Sequence, residues 1–231
     1  MIKTVILVSH PEIKNSAQQQ FFKTVAQNVT NVRRKVIDDL YDYNKLDIVT
    51  EQDELKKADR IIFQFPLYWY QAPGSLSRYI TDVITRKFAI SQEQLKGKEL
   101  GVVVSIGDAL SQYQAGGSEQ FTISELMAPY RAFAHKAQMK FLPVMVVDQF
   151  AYMDENQKSD LVAQYLMYLE ARMPLSLESR TEWLLDKLTT IGSESADNKK
   201  ATDLIASVLE TRRDQIDDLK ENIKLMRDEE E

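Results

Sequence analysis

Cysteine is absent from this 231-residue chain, which excludes disulfide frameworks, thiolate metal sites and cysteine nucleophiles together. The same absence suits a reducing compartment. Only two histidines occur, His10 and His135, and neither belongs to an H-E-x-x-H pair or to an Asp/Glu/His cluster at ligand spacing. No G-x-S-x-G nucleophile elbow is present, so hydrolase and metalloenzyme chemistry has no motif to stand on and no metal is expected. Glycine is scarce, at seven residues, and none falls into the G-x-G-x-x-G or P-loop pattern. Basic charge is in deficit, with 29 Lys and Arg against 35 Asp and Glu, a net of −6. A nucleic-acid partner needs a basic surface to displace counterions, so none is expected. No apolar run has the length of a membrane span or signal peptide; the one near the start ends at His10-Pro11. The expectation is a soluble, cytoplasmic protein with one domain followed by an extension.

What the chain does contain is a series of β-branched, apolar runs separated by helix signals. Residues 4–9 (T-V-I-L-V-S) read as a first buried strand, ended by His10-Pro11. Ser16 stands three residues before Gln19, the spacing of a capping box, and predicts a helix over 17–28. Residues 32–38 read as a second strand, and its charges at Arg33, Arg34 and Lys35 suggest a sheet edge. A short helix is predicted over 51–58. The stretch 59–76 (D-R-I-I-F-Q-F-P-L-Y-W-Y-Q-A-P-G-S-L) organises the rest. Its strand over 60–65 is apolar from Ile61 to Phe65 except for Gln64, as in the centre of a parallel sheet. Pro66, three aromatics, Pro73-Gly74 and a helix over 74–84 follow.

Residues 99–105 predict a fourth strand, leading into a long loop through Gly116-Gly117. Thr122 with Glu125 is a second capping box, opening a helix over 123–137 that Pro129 is expected to kink. Residues 139–147 predict the fifth strand. Five strands alternating with helices imply a doubly wound parallel α/β sheet. Further helices are predicted over 154–172 and 178–188, then a linker over 192–200 and a helical tail over 201–231. In that tail Ile205, Leu209, Arg212, Ile216, Leu219, Ile223 and Met226 follow a heptad-like stripe, which suits an amphipathic helix on its own domain or on a partner, or a coiled coil. The expected division is a domain over 1–175 and a helical extension over 176–231.

Open α/β sheets bind ligands beyond the carboxyl ends of their strands. Tyr68, Trp69 and Tyr70 fall there, as a wall for a flat ligand, a core plug or a dimer surface. His10 follows a buried strand and precedes a helix N-terminus, whose unpaired N–H groups and dipole suit an anion such as phosphate. Its alternative role is a loop histidine capping backbone. Tyr113 faces the same edge or is a surface tyrosine, and His135 reads as structural.

At these residues a resemblance appears. The run I-I-F-Q-F-P-L-Y-W-Y-Q-A-P over 61–73 closely resembles the F-P-L-Y-W-x-x-x-P signature of flavodoxin-like NAD(P)H:quinone oxidoreductases. L-V-S-H-P-E over 7–12, followed by Ser16, resembles that family's first phosphate-binding loop. The segment 105–143, with Tyr113, Gly116, Gly117, Phe121, Glu125 and Leu126, is similar to its T-T-G-G-x-x-x-x-Y-x-x-G-G … F-T-x-E-E-L … L-P region. The nearest members by pattern are short bacterial ones: modulator-of-drug-activity-B-like proteins and the ancillary subunits of Kef potassium-efflux systems. The likeness covers residues 1–170 and leaves the tail outside.

The resemblance implies a five-stranded sheet in order 2-1-3-4-5, with FMN (FAD as the alternative) bound non-covalently across a homodimer interface. It also implies NAD(P)H as co-substrate, a quinone or related small acceptor, and a ping-pong cycle. Carried over by position, His10, Ser16, Ala17, Gln18 and Gln19 would meet the phosphate and ribityl chain. Pro66, Leu67, Tyr68, Trp69 and Tyr70 would line the ring, and Ser105, Ile106, Gly107 and Asp108 would close its other side. Tyr113 would be the catalytic residue, a phenol donor at the N1/O2 edge where charge gathers on reduction. The chain departs from the pattern in three places. Ser105-Ile106-Gly107-Asp108 replaces T-T-G-G, Gln19 stands where asparagine is usual, and no histidine near Gly117 partners the tyrosine. A carboxylate at Asp108 aimed at the ring would oppose an anionic reduced flavin and the phosphate alike. The other class of function implied is a non-spanning regulatory subunit associated peripherally with a potassium-efflux-type transporter, docking through the tail. A flavodoxin-like electron carrier fits less well, because its first loop is Thr/Ser-rich.

Overall fold

The computed structural model describes residues 2–42, 45–193 and 196–230, arranged in two units, Met1–Glu170 and Ala171–Glu231. In the first unit the apolar runs become strands. In chain order it holds β1 (Thr4–Val8), α1 (Ala17–Gln27), β2 (Val32–Val36), α2 (Ile37–Asp42), α3 (Ile48–Lys57), β3 (Arg60–Pro66), α4 (Gly74–Asp82) and β4 (Glu99–Ile106). Then come α5 (Ile123–Leu126), α6 (Ala128–Lys136), β5 (Lys140–Phe141), β6 (Met145–Asp148) and α7 (Glu155–Glu170). The second unit holds α8 (Leu177–Gly192) and α9 (Ala196–Glu230). All pairings in the sheet are parallel and the order is β2-β1-β3-β4-β5, the expected flavodoxin-like α/β architecture, with β6 also paired to β4.

The central strand β3 is buried along its whole length, yet carries two strongly polar side chains. A buried polar group must find its partners inside the protein. Arg60, fully buried at the amino end, bonds Glu99 of β4 through Nε at 2.8 Å and Nη2 at 2.7 Å, and donates through Nη1 to the Tyr168 carbonyl of α7. Gln64, near the carboxyl end, accepts from the Tyr165 hydroxyl at 2.6 Å and donates to Gln19 of α1 at 2.8 Å. The two contacts fix α1 and α7 against the sheet at both ends of one strand.

β2 is the edge strand that its charges suggested, and strand alternation divides those charges between two faces. Arg33 and Lys35 meet Glu54 of α3 at 2.8 and 2.6 Å, and Lys35 also meets Glu51, which accepts from Tyr79 at 2.8 Å. Arg34 points the other way and donates to the Gln19 side chain at 3.1 Å.

Several expectations are corrected. The fifth strand, expected as one run over 139–147, is broken into β5 and β6 at Leu142–Val144. Pro143 has no N–H for the ladder. Instead the Tyr168 hydroxyl inserts there, accepting from Val102 N–H at 3.0 Å and donating to the Pro143 carbonyl at 2.8 Å. Its ring lies over Gly101, where a Cβ would come within 2.8 Å of the hydroxyl. The helix expected over 123–137 is two helices parted at Met127, with Pro129 in the first turn of the second, where a missing N–H costs nothing. The second strand stops at Val36, and residues 37–42 are helical.

The capping boxes differ. Thr122 and Glu125 form both halves, with Glu125 N–H to Thr122 Oγ1 at 3.2 Å and Thr122 N–H to Glu125 Oε2 at 2.7 Å. Ser16 caps α1 by accepting from Gln19 N–H at 3.2 Å, but the Gln19 side chain turns inward and no second half forms. The expected linker over 192–200 is also shorter. α8 runs to Gly192 and α9 begins at Ala196, while residues 194–195 lie outside the described residues.

In the second unit α8 and α9 run antiparallel, with Glu178 at the start of α8 paired to Lys220 of α9. Ser176 caps α8 by accepting from Ser179 N–H at 3.2 Å. Thr181 and Thr202 are buried and Leu209 and Ile216 half-buried, but the other apolar members of the tail stripe, Ile205, Leu219, Ile223 and Met226, are exposed.

Truncating Arg60→Ala leaves the Tyr168 carbonyl and Glu99 without their partner and is expected to lower unfolding free energy by about 3–5 kcal/mol. Urea unfolding measures this; a loss below about 1 kcal/mol would show that the anchor is dispensable.

Candidate functional site

Strands β1, β3 and β4 end side by side, so the loops after them share one edge of the sheet. The register sets Pro66 of β3 opposite Ser105 of β4, and Leu67 N–H continues the pairing to the Ser105 carbonyl at 2.9 Å. Ser9, just past β1, bonds the Gln64 carbonyl through its N–H at 3.0 Å, and its hydroxyl lies 2.5 Å from that of Ser75 in α4. The edge therefore brings together His10, Pro66, Leu67, Tyr68 and Ser105 by backbone pairing alone.

His10 is 7% exposed. Its N–H donates to Asp38 Oδ2 at 2.8 Å, and its Nδ1 accepts from Glu12 N–H at 3.1 Å. An accepting Nδ1 places the proton of the neutral ring on Nε2. Burial is the main cause that pushes its pKa below the usual 6.5, against the opposing pull of Asp38. The ring stands edge-on to Tyr68, centroids 6.4 Å apart. A single helical turn, Ile13–Asn15, then leads to Ser16 and α1, which opens with Ala17, Gln18 and Gln19. Gln19 does not face the edge with the others, because its carbonyl oxygen is taken by Arg34 and Gln64. Four buried polar atoms have no hydrogen-bond partner among the described residues: Gln18 Nε2, Gln19 Nε2, Arg34 Nε and Ser105 Oγ.

The aromatic run forms a two-residue turn. Tyr68 N–H bonds the Gln71 carbonyl at 2.9 Å and Gln71 N–H bonds the Tyr68 carbonyl at 3.1 Å. Trp69 (φ 48°) and Tyr70 (φ 63°) both lie in the left-handed region. Turns of this kind prefer Asn-Gly, and each non-glycine residue held there costs about 1–3 kcal/mol. The turn holds Trp69 in solvent, 90% exposed, with Tyr68 and Tyr70 also exposed. These three are not a core plug.

β4 ends at the buried Ile106, Gly107 and Asp108 leave the sheet, and Leu110 N–H is tied to Asp148 Oδ2 at 2.9 Å. A Cβ added at Gly107 would meet nothing within 4 Å, so the protein itself does not require glycine there. Gly117 is the opposite case: a Cβ would stand 2.1 Å from the Gln112 carbonyl oxygen, so only glycine permits this close turn. The turn presents Glu119, whose Oε2 accepts from the Tyr70 hydroxyl at 2.8 Å and joins this loop to the aromatic wall. Tyr70 is held protonated first by that bond and then by the charge of Glu119. Tyr113, half-buried, has its pKa raised by burial first, then by Glu119 and Asp108. Of the two phenols, Tyr70 is committed to Glu119, whereas Tyr113 makes no side-chain hydrogen bond among the described residues and is free to donate.

Reading the sequence missed Asp38, Ser75 and Glu119, which belong to other segments. Only Gln64 left a signal, as the single polar residue within an apolar run. His135, in the last turn of α6, is exposed and precedes the amino end of β5, so it does not belong to the carboxyl edge. Among the described residues no group of three or more His, Asp or Glu could hold a metal, and no helix is long and apolar enough to cross a membrane.

A doubly wound parallel sheet with a polar, aromatic-walled edge past β1, β3 and β4 defines an α/β protein of the flavodoxin-like class. The chain belongs to the flavodoxin-like fold family, whose model matches residues 2–172. It is 32% identical over 192 residues to an uncharacterised NAD(P)H oxidoreductase of Bacillus subtilis, covering 82% of this chain and 97% of that protein. It is 30% identical over 150 residues to the glutathione-regulated potassium-efflux system ancillary protein KefG of an Enterobacter species, covering 63% of this chain and 80% of that protein. Among solved structures it is similar to an NADPH-quinone reductase from P. pentosaceus, at 44% identity and TM-score 0.68, covering 73% of this chain and 98% of the other. A general stress protein 14 from Treponema denticola, solved in complex with FMN, shares the fold at 24% identity and TM-score 0.65, covering 72% of this chain and 97% of the other.

The lowered pKa of His10 has a consequence for the protein without ligand. Below a pH of about 6.5 the unfolded chain takes up a proton that the folded protein resists, so stability falls as pH drops through that window and is retained above it. Unfolding of wild type and His10→Asn, followed from roughly pH 7 to pH 5, should show a shallower decline in the variant. Parallel curves would contradict the assignment.

Proposed function

We propose that this protein is a flavin-dependent NAD(P)H oxidoreductase that holds FMN at the edge past β1, β3 and β4 and passes two electrons to a quinone or similar small acceptor. The observation that carries this reading is the pair of buried, unpartnered donors Gln18 Nε2, in the first turn of α1, and Ser105 Oγ, at the carboxyl end of β4. Such groups are costly unless a ligand completes them. Gly107 leaves space that no protein atom fills, as an approaching ring requires. The names of the relatives support the activity, and the FMN complex of the fold neighbour supports the cofactor.

In this reading the α1 N-terminus, with Ser16, Ala17 and Gln18, and the neighbouring His10 hold the phosphate and ribityl chain. Gln19 supports them from behind by tying α1 to β3. Pro66, Leu67, Tyr68, Trp69 and Tyr70 wall one side of the ring, and Ser105, Ile106, Gly107 and Asp108 the other. FMN, when bound, supplies a ring that accepts hydride and releases electrons in pairs. Tyr113 keeps its proton and presents it as a donor. The Asp108 and Glu119 carboxylates oppose added negative charge at the same edge. FAD is the alternative cofactor, and alternate entry of NAD(P)H and acceptor into one pocket gives a ping-pong cycle. A second protomer covering Trp69 accounts for an indole left in water, so the proposal includes a homodimer.

A second reading, a subunit associated peripherally with a potassium-efflux-type transporter, is supported by the likeness to KefG.

Purified protein is expected to bind FMN, and NADH or NADPH should bleach its absorbance without oxygen. Asp108→Gly should tighten FMN on the order of threefold, the scale of one exposed charge contact. Protein that takes up neither FMN nor FAD would overturn the proposal. Flavin that binds but is not bleached by either nucleotide would favour the second reading.

A further inference from the structure

The α8–α9 hairpin has more apolar surface than its own seam uses. On α8, Leu177, Leu184 and Ile191 recur every seven residues and are exposed. On α9, Ile205, Val208, Leu219, Ile223 and Met226 form an exposed row beside the half-buried Leu209 and Ile216 that face α8. These eight side chains are between 38 and 66% exposed. In both helices the exposed row flanks the seam rather than lying opposite it, the pattern of a helix with two neighbours in a bundle.

The structure assigns this face to a second copy of the same hairpin, the two closing into a four-helix bundle. Three observations favour that occupant. First, the α9 row is self-complementary. Ile205 and Met226, Val208 and Ile223, and Arg212 and Leu219 are spaced symmetrically about the point between Gln215 and Ile216. An antiparallel two-fold pairing therefore sets Ile205 on the partner's Met226 and Val208 on the partner's Ile223, as an isologous interface demands. Arg212, the one charge in the row, falls on the partner's Leu219, where its aliphatic stem covers apolar surface and its head reaches solvent.

Second, α9 has 35 residues against 16 in α8, and α8 begins at the level of the Glu178–Lys220 pair. The part of α9 beyond Lys220 carries Ile223 and Met226, and its described side chains, residues 221–227, are all exposed. A second α9 running antiparallel supplies a neighbour for them. Third, the apolar area exposed is on the order of one side of a standard interface, about 800 Å², and exceeds the few hundred Å² that monomers leave in one patch. The unit carries more acidic than basic side chains, which disfavours an anionic membrane or nucleic acid as the occupant.

The lack of cysteine allows a direct test on the full chain. A nitroxide on Thr211→Cys, at the rim of the row and near its midpoint, reads distances between copies by pulsed electron resonance. A short, defined distance between copies is expected, and it should be lost in the same chain carrying Ile205→Asp and Leu219→Asp. Both sites are exposed beside the α8 seam, so far-UV circular dichroism should show the helices retained. Absence of coupling between copies in the helical parent chain would overturn the inference, whether the face lies free or against another surface. Coupling unchanged by the two substitutions would overturn it equally.

Discussion

Two buried polar side chains on β3 set the arrangement of the first unit. Arg60 and Gln64 sit in a strand with no access to water, so each must be satisfied by protein atoms in one register only. Arg60 fixes β4 through Glu99 and α7 through the Tyr168 carbonyl. Gln64 fixes α7 through Tyr165 and α1 through Gln19. A slip of one residue would move both groups to the opposite face and leave four partners unpaired. Because β3 cannot slip, Pro66 must meet Ser105, and the chain must leave the sheet at Leu67 with the aromatic turn next. The position of the candidate site is thus a consequence of the strand's polar exceptions.

The edge itself combines completeness with unmet demand. Backbone groups at the strand ends are paired across β1, β3 and β4, and the Tyr70–Glu119 bond ties two loops together. Against this rigid background, the Ser105 hydroxyl and Gln18 amide are buried without partners, and two consecutive aromatics are held in a left-handed turn. Strain and unsatisfied donors at this edge are what the proposed ligand site rests on. Asp108 and Glu119 give this edge an acidic character, and Asp108 stands where the resembling pattern has glycine.

Much of this was legible in the sequence, where local rules decide the outcome. The apolar run over 61–65, the β-branched first and fourth strands and the Thr122/Glu125 box state their structure within a few residues. The charges at 33–35 marked an edge because three in succession put charge on both faces of the strand. What escaped depends on contacts between distant segments. The Tyr168 hydroxyl that breaks the fifth strand comes from a helix far along the chain. Gln19 has the spacing of a cap but is drawn inward by Gln64 and Arg34, a competition that no local motif contains. The same holds for Asp38 under His10 and Glu119 beneath Tyr70. In the tail the heptad-like stripe was visible, but which members face α8 follows only from where the partner helix lies.

The central claim is that Ser105 Oγ lacks a partner in the free protein because a flavin completes it. The most direct measurement compares the stability of wild type and Ser105→Ala with and without excess FMN. Without FMN, removing an unpartnered buried hydroxyl should leave stability unchanged or raise it. With FMN, the stabilisation gained on binding should be smaller in the variant, by about 1 kcal/mol or more. If instead Ser105→Ala is destabilised when free and gains as much from FMN as wild type does, the hydroxyl serves the fold and the account is wrong.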